Sequence, residues 1–248
     1  MEEESGLQIS LASHKLGEFL GIPVTNSMLT AWVVTGILLL VGILVGKRLR
    51  LIPGKLQNMV EMFFEYLLDL MEQTLGNRAL ATRYFPLIVT IFLFVLTANM
   101  LDFLPIFGTI GLFQHGEFVP LFHAVNADLN STLALAIISF FVIEISGIAM
   151  LGALKYGSKF VNIHSPMAFA VGLLEIIGNL ARLVSLSFRL FGSILAGEVL
   201  LLVIGSFLPY LVPVPLMLFE VFIGFLQAAI FALLTLAFIK IAIMEPVH

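Results

Sequence analysis

From Pro166 to Phe207 the chain runs for some forty residues with only four charged side chains, Glu175, Arg182, Arg189 and Glu198. A helix crosses the hydrocarbon core of a bilayer in about 20 mostly apolar residues. This stretch is too long for one perpendicular crossing, so it reads as a strongly tilted helix or as a crossing with an in-plane extension. A water-soluble chain could not cover itself with so little charge: 11% of residues are charged and 60% hydrophobic, against roughly a quarter and just under half in soluble domains. The sequence therefore predicts an all-α integral membrane protein.

The other spans follow from the same test. Residues 27–46 form the first, opened by Thr25-Asn26-Ser27 as cap-type residues and closed by Lys47-Arg48-Leu49-Arg50. Residues 85–101 form the second and 129–151 the third; 166–207 is the long fourth unit, and 216–244 the last long run. Residues 55–75 differ: Glu61, Glu65, Asp69 and Glu72 recur at three- and four-residue steps among Phe63, Phe64, Leu67 and Met71, the pattern of an amphipathic helix at the interface. The expectation is a single membrane domain of about five transmembrane helices plus this amphipathic one, with long tilted fourth and fifth helices.

Orientation follows from Lys and Arg in short loops. Lys47, Arg48, Arg50 and Lys55 follow the first span, Arg78 and Arg83 the amphipathic helix, and Lys155 and Lys159 the third span, while 102–128 and 208–215 contain none. This predicts an external N-terminal segment (1–26) and a cytoplasmic C-terminus. The acidic Met1-Glu2-Glu3-Glu4 resembles neither a secretory signal nor an Arg-rich transit peptide, which favours a bacterial inner membrane. Net charge −4 gives no nucleic-acid footprint, and zero Cys removes thiolate chemistry. His14, His115, His123, His164 and His248 fall in loops or tails without ligand spacing, and there is no Gly-rich phosphate loop, so neither metal, cofactor nor nucleotide is expected.

Ionisable residues within spans cost roughly 2.5–3.5 kcal/mol on insertion scales and usually face a protein interior or a water path. Here they are Glu144, Glu175, Arg182, Arg189, Glu198 and Glu220, with Gln227 as a buried amide. At 100° per residue, Arg182, Ser185, Arg189, Gly192, Ser193 and Ala196 share one side of the fourth unit. Apart from the arginines that side is Ser, Gly and Ala, a surface that another helix can approach closely. Glu175 lies about 21 Å before Arg189 along the axis, and Glu198 about 13 Å after it on the opposite face. Glu220 is expected at a depth similar to Glu198, and Gln227 nearer the level of Arg189. The pattern is an external acidic pair, a central arginine and an internal acid. A carboxyl group in low dielectric can pass a proton near neutral pH, whereas a guanidinium keeps its proton. The acids suit steps in a proton path and Arg189 a barrier between them.

The same residues carry a resemblance. Ser185-Leu186-Ser187-Phe188-Arg189-Leu190-Phe191-Gly192-Ser193 followed by Ala196-Gly197-Glu198 is similar to the signature of subunit a of F-type ATP synthases. In family order come Pro23-Val24-Thr25-Asn26, Ala98-Asn99-Met100-Leu101, Asn126-Ala127-Asp128-Leu129-Asn130-Ser131-Thr132 and Leu226-Gln227-Ala228-Ala229-Ile230-Phe231. The resemblance implies a stator subunit against a rotating ring of c subunits, held by b-type peripheral-stalk subunits, with protons or Na+ as the ion. Arg189 would face the ring carboxylate. Glu198, Glu220, Asp128 and Asn130 would belong to the external half-channel, Glu175 to the cytoplasmic one, and Gln227 would stand near the arginine. Ser193 replaces the usual Asn, and Glu198 and Glu220 stand where many members pair a carboxylate with a histidine, so no histidine relay is implied. Arg182 is read as supporting Arg189 or anchoring its helix, and Glu144 as a structural partner, an arginine being one candidate for it. Asp128 and Asn130 also suit a helix cap. The alternative to the rotary reading is an independent proton- or cation-coupled transporter. Such transporters often carry internal repeats, and none is visible here; an intramembrane hydrolase would need a nucleophile–base or metal constellation, also absent from the sequence.

Overall fold

The computed structural model describes residues 15–19, 21–103, 110–114, 117–157, 166–207 and 213–244. Residues 1–14 of the expected external segment, Lys159, the four histidines other than His123, and parts of the 102–128 and 208–215 loops lie outside them. Along the chain come a hairpin, β1 (Lys15–Phe19) and β2 (Ile22–Thr25), then helices α1 (Asn26–Arg48), α2 (Lys55–Leu75) and α3 (Arg78–Asp102). A second hairpin, β3 (Gly111–Gln114) and β4 (Glu117–Pro120), leads to α4 (Leu129–Leu151), α5 (Ala153–Gly157), α6 (Pro166–Phe207) and α7 (Pro213–Ile243). Five of these helices are long and apolar enough to cross a membrane, and the chain is an all-α membrane protein with two small antiparallel hairpins.

Local chemistry fixes the boundaries. Thr25 caps α1 by accepting from the Met28 N–H at 3.3 Å, and Lys47 and Arg48 complement the helix dipole at its other end. α2 stops at Gly76, whose left-handed φ of 74° suits glycine, with its N–H donating to the Glu72 carbonyl at 2.7 Å. Asn77 then caps α3, and Arg78 reaches back to Asp69 and Glu72 of α2. The helix thus begins at Arg78 rather than Phe85, because the cap and a polar first turn precede the apolar run. α6 is one continuous helix over the whole forty-residue stretch.

α3 and α7 form the centre, with α4 and α6 packed on them. Val95, Ala136, Leu190, Leu236 and Ile239 are among the buried residues of a single apolar core. α7 offers a buried stripe of Gly224, Ala228, Phe231, Ala232, Thr235 and Leu236, small enough at several positions for close approach. α1 buries only Asn26, Ser27, Thr30 and Val34, and α6 is likewise peripheral, with Leu186, Ser187 and Leu190 turned inward. Ser187 meets Thr132 of α4 hydroxyl to hydroxyl at 3.2 Å. Large apolar side chains such as Leu39, Leu40, Ile43, Phe141, Ile145 and Phe188 are exposed along the spanning helices, as suits a lipid-facing surface.

Candidate functional site

The buried acids gather where the second half of α6 passes the first half of α7. A cleft of about 340 Å³ is lined by Ser193, Ala196, Gly197 and Leu200 of α6 and by Glu220, Ile223, Gln227 and Ile230 of α7, among others. A second, of about 240 Å³, adds Asn99, Asp102 and Phe103 of α3 and Glu198 of α6. Ser193, Leu201, Glu220 and Ile223 line both, so the two clefts share a wall. Gly197 makes the convergence possible: a Cβ at that position would run into the Glu220 carboxyl group, so Glu220 lies directly against the bare turn of α6.

Asp102 completes an acidic trio that the sequence reading did not include. Its two carboxyl oxygens are buried and have no hydrogen-bond partner among the described residues. The apolar run was taken to end at Leu101, which left Asp102 to the loop. The available signal was its position immediately after Ala98-Asn99-Met100-Leu101. An amide pin sets the trio's geometry. Asn99, fully buried, donates to the Gly224 carbonyl at 2.9 Å and accepts from the Asn126 side chain at 2.6 Å. Gly224 suits this close approach, since a Cβ would sit a tight 3.1 Å from that of Asn99. Asp102 lies about one turn beyond Asn99 and Glu220 about one turn before Gly224, so locking α3 to α7 brings both acids to the Glu198 wall of α6.

Arg189 stands apart from the clefts. It is exposed on the outer face of α6 with Ser185, Gly192 and Ala196, which are also exposed. It makes no ion pair or hydrogen bond among the described residues. Its nearest cleft residue along the helix is Ser193, one turn on. The arginine thus stands on an exposed surface with little side-chain relief. Gln227, half-buried, lines the first cleft two turns along α7 from Glu220.

The other expected residues fall into two further groups. Asp128 caps α4, accepting from the Asn130 backbone N–H at 2.9 Å and from its side-chain amide at 3.1 Å. Neither residue lines either cleft. Glu175 stands 3.9 Å from Arg182, two turns along the same face of α6. Arg182 donates to Asn179 at 2.9 Å and lies over the Phe238 ring, 5.4 Å from its centroid. Glu144 of α4 accepts from Tyr156 of α5 at 2.9 Å and from Asn179 of α6 at 3.1 Å. Sequence reasoning singled out neither Tyr156 nor Asn179, for both become informative only through contacts between elements.

Comparison with known proteins shows the family. A family model described as ATP synthase A chain matches residues 28–240. "ATP synthase subunit a" of Campylobacter jejuni subsp. doylei is 35% identical over 216 residues, covering 86% of this chain and 88% of the relative. The protein of the same description from Geotalea daltonii is 34% identical over 214 residues, 86% of each chain. That from Moorella thermoacetica is 33% identical over 219 residues, 88% of this chain and 90% of its own. With a membrane-spanning helical bundle, a cleft of convergent acids and matches of this extent, the chain belongs to the ATP synthase A chain family.

Proposed function

We propose that the chain is the proton-conducting stator subunit of a rotary ATP synthase, working against a ring of c subunits and held by b-type peripheral-stalk subunits. The observation that carries the reading is the pairing of two features: an acid-lined cleft between α3, α6 and α7, and an exposed Arg189 one turn beyond it that has no ion pair among the described residues. Glu198, Glu220 and Asp102 pass protons from the external side, and the cleft delivers them past Ser193 and Gln227 to the ring carboxylate. Asp128 and Asn130 shape the external end of α4. Arg189 holds an arriving ring carboxylate in its ionised form and, as a fixed cation, repels a proton that would cross directly. Glu175, about 21 Å along α6, receives the proton on the cytoplasmic side. The positive loops put the Lys47–Arg50 end in the cytoplasm and the β1–β2 hairpin outside.

The test is Arg189→Ala in the assembled complex, with inverted vesicles assayed for ATP-driven acidification and for passive proton leak. Loss of pumping by an assembled complex is expected, with added leak as the mark of a lost barrier. Pumping near the wild-type level would overturn the rotary reading and leave the acids as the site of an independent transporter.

A further inference from the structure

Glu144 is a half-buried carboxylate with no part in the external cleft, yet it is held by two donors from two other helices. Tyr156 of α5 donates to its Oε2 at 2.9 Å and Asn179 of α6 to its Oε1 at 3.1 Å. The phenol reaches it because Gly147, on the same face of α4 as Glu144, has no side chain; a Cβ there would run into the Tyr156 ring. Burial, and then the adjacent Glu144, push the Tyr156 hydroxyl up from its ordinary value of about 10, so it remains a donor.

Asn179 turns this pair into a directional link. A carboxylate only accepts hydrogen bonds and a guanidinium only donates them. With Glu144 on one side and Arg182 on the other, the amide has a single satisfying orientation, its NH2 on Glu144 and its oxygen on Arg182. Asn179 is itself 8% exposed, so a reversed amide would leave buried groups facing like partners. The far side of Arg182 stands 3.9 Å from Glu175.

We infer that Glu144, acting through Asn179 and steadied by Tyr156, is a positioning residue that fixes the Arg182 guanidinium beside Glu175, the acid at which the proton leaves. The inference rests on the reading of Glu175 as the cytoplasmic acid. The titratable groups of the cluster are Glu144 from α4, Tyr156 from α5, and Glu175 and Arg182 from α6. α7 contributes the Phe238 ring, and its Lys240, two residues on, projects about 200° away from that ring. Lys155, beside Tyr156, is exposed.

The experiment measures ATP-driven acidification of inverted vesicles against external pH for Glu144→Leu, Asn179→Ala, Arg182→Gln and the double variant Glu144→Leu with Arg182→Gln. Each single variant is expected to displace the pH profile, because each moves or removes the cation held beside Glu175. The double variant is expected to move it no further than Arg182→Gln alone. Glu144→Gln, whose amide oxygen still accepts from Asn179, should move it less than half as far as Glu144→Leu. Asn179→Ala leaves every charged group in place and serves if Glu144→Leu does not assemble. An unmoved profile in Glu144→Leu or Asn179→Ala overturns the inference, as does an additive shift in the double variant. A Glu144→Gln shift equal to that of Glu144→Leu also overturns it, since the carboxylate would then be titrating itself. Arg189→Ala run alongside separates the two readings: if it pumps normally the rotary reading fails, whereas loss of pumping there with unmoved Glu144 profiles removes only the positioning role.

Discussion

Replacing Gly197 by alanine puts a methyl group where the Glu220 carboxyl now lies against α6. The Glu220 Cδ is 2.8 Å from the position of that methyl and its Oε1 is nearer still, so the carboxyl group must retreat by about 1 Å or slightly more to restore ordinary contact distances. All three of the closest atoms belong to the outer part of the Glu220 side chain rather than to backbone, so the side chain yields and the helices do not. Turning it off its rotamer costs about 0.5–1.5 kcal/mol, and alanine in a helix interior gains about 1 kcal/mol over glycine. The two nearly cancel. Gly197→Ala is therefore expected to assemble and to unfold in detergent within about 1 kcal/mol of wild type. Its effect falls on the chemistry. A misplacement of about 1 Å costs up to about a hundredfold in rate, so a shift of this size predicts a loss of ATP-driven acidification per assembled complex of about ten- to a hundredfold. Adding Glu220→Asp shortens the side chain by one methylene and should recover part of the loss. Wild-type pumping by Gly197→Ala would refute the reasoning, because Glu220 would then not need its place against the α6 turn.

Asp102→Asn removes a buried carboxyl that has no hydrogen-bond partner among the described residues, so thermal unfolding in detergent should hold or rise while proton pumping falls severalfold. Asn99→Leu orphans the buried Asn126 amide and frees the Gly224 carbonyl, which should cost about 2–3 kcal/mol and lower the unfolding midpoint. The folded-state value of the Tyr156 hydroxyl is raised, so its contribution to stability is complete below pH 10 and declines as pH climbs above that. Tyr156→Phe should therefore be less stable than wild type at neutral pH, with the gap narrowing in alkaline solution; a gap constant from pH 8 to 11, on the order of those limits, would contradict the burial of the phenol.

The fold class was legible because membrane helices announce themselves by length and apolarity, and α6 spans the stretch where charge is scarcest. The two hairpins were not, since strands of four or five residues beside turns carry too little pattern. The reading of Arg189 as presented to a partner came from helical angle alone, and the exposed Ser185, Gly192 and Ala196 around it have the character that angle implied. What the sequence concealed lies between elements. Asp102 looked like a loop residue because hydropathy falls at a carboxylate even when the helix continues through it. Glu144 was suspected of pairing with an arginine, but the link runs through Asn179, and no periodicity within one helix can reveal a contact to another. Glu175 stands about 21 Å of helix from Arg189, and Arg182, half as far along, meets it instead.

The claim that most needs testing is that the Arg189 face of α6 lies against the ring. The chain has no cysteine, so a single introduced thiol reports without background. Gly192→Cys and Ala196→Cys, paired with cysteines placed along the outer helix of the c subunit, should form disulfides under mild oxidation, while Leu40→Cys on the exposed side of α1 should not. Cross-links from Leu40→Cys, with none from Gly192→Cys or Ala196→Cys, would contradict the account.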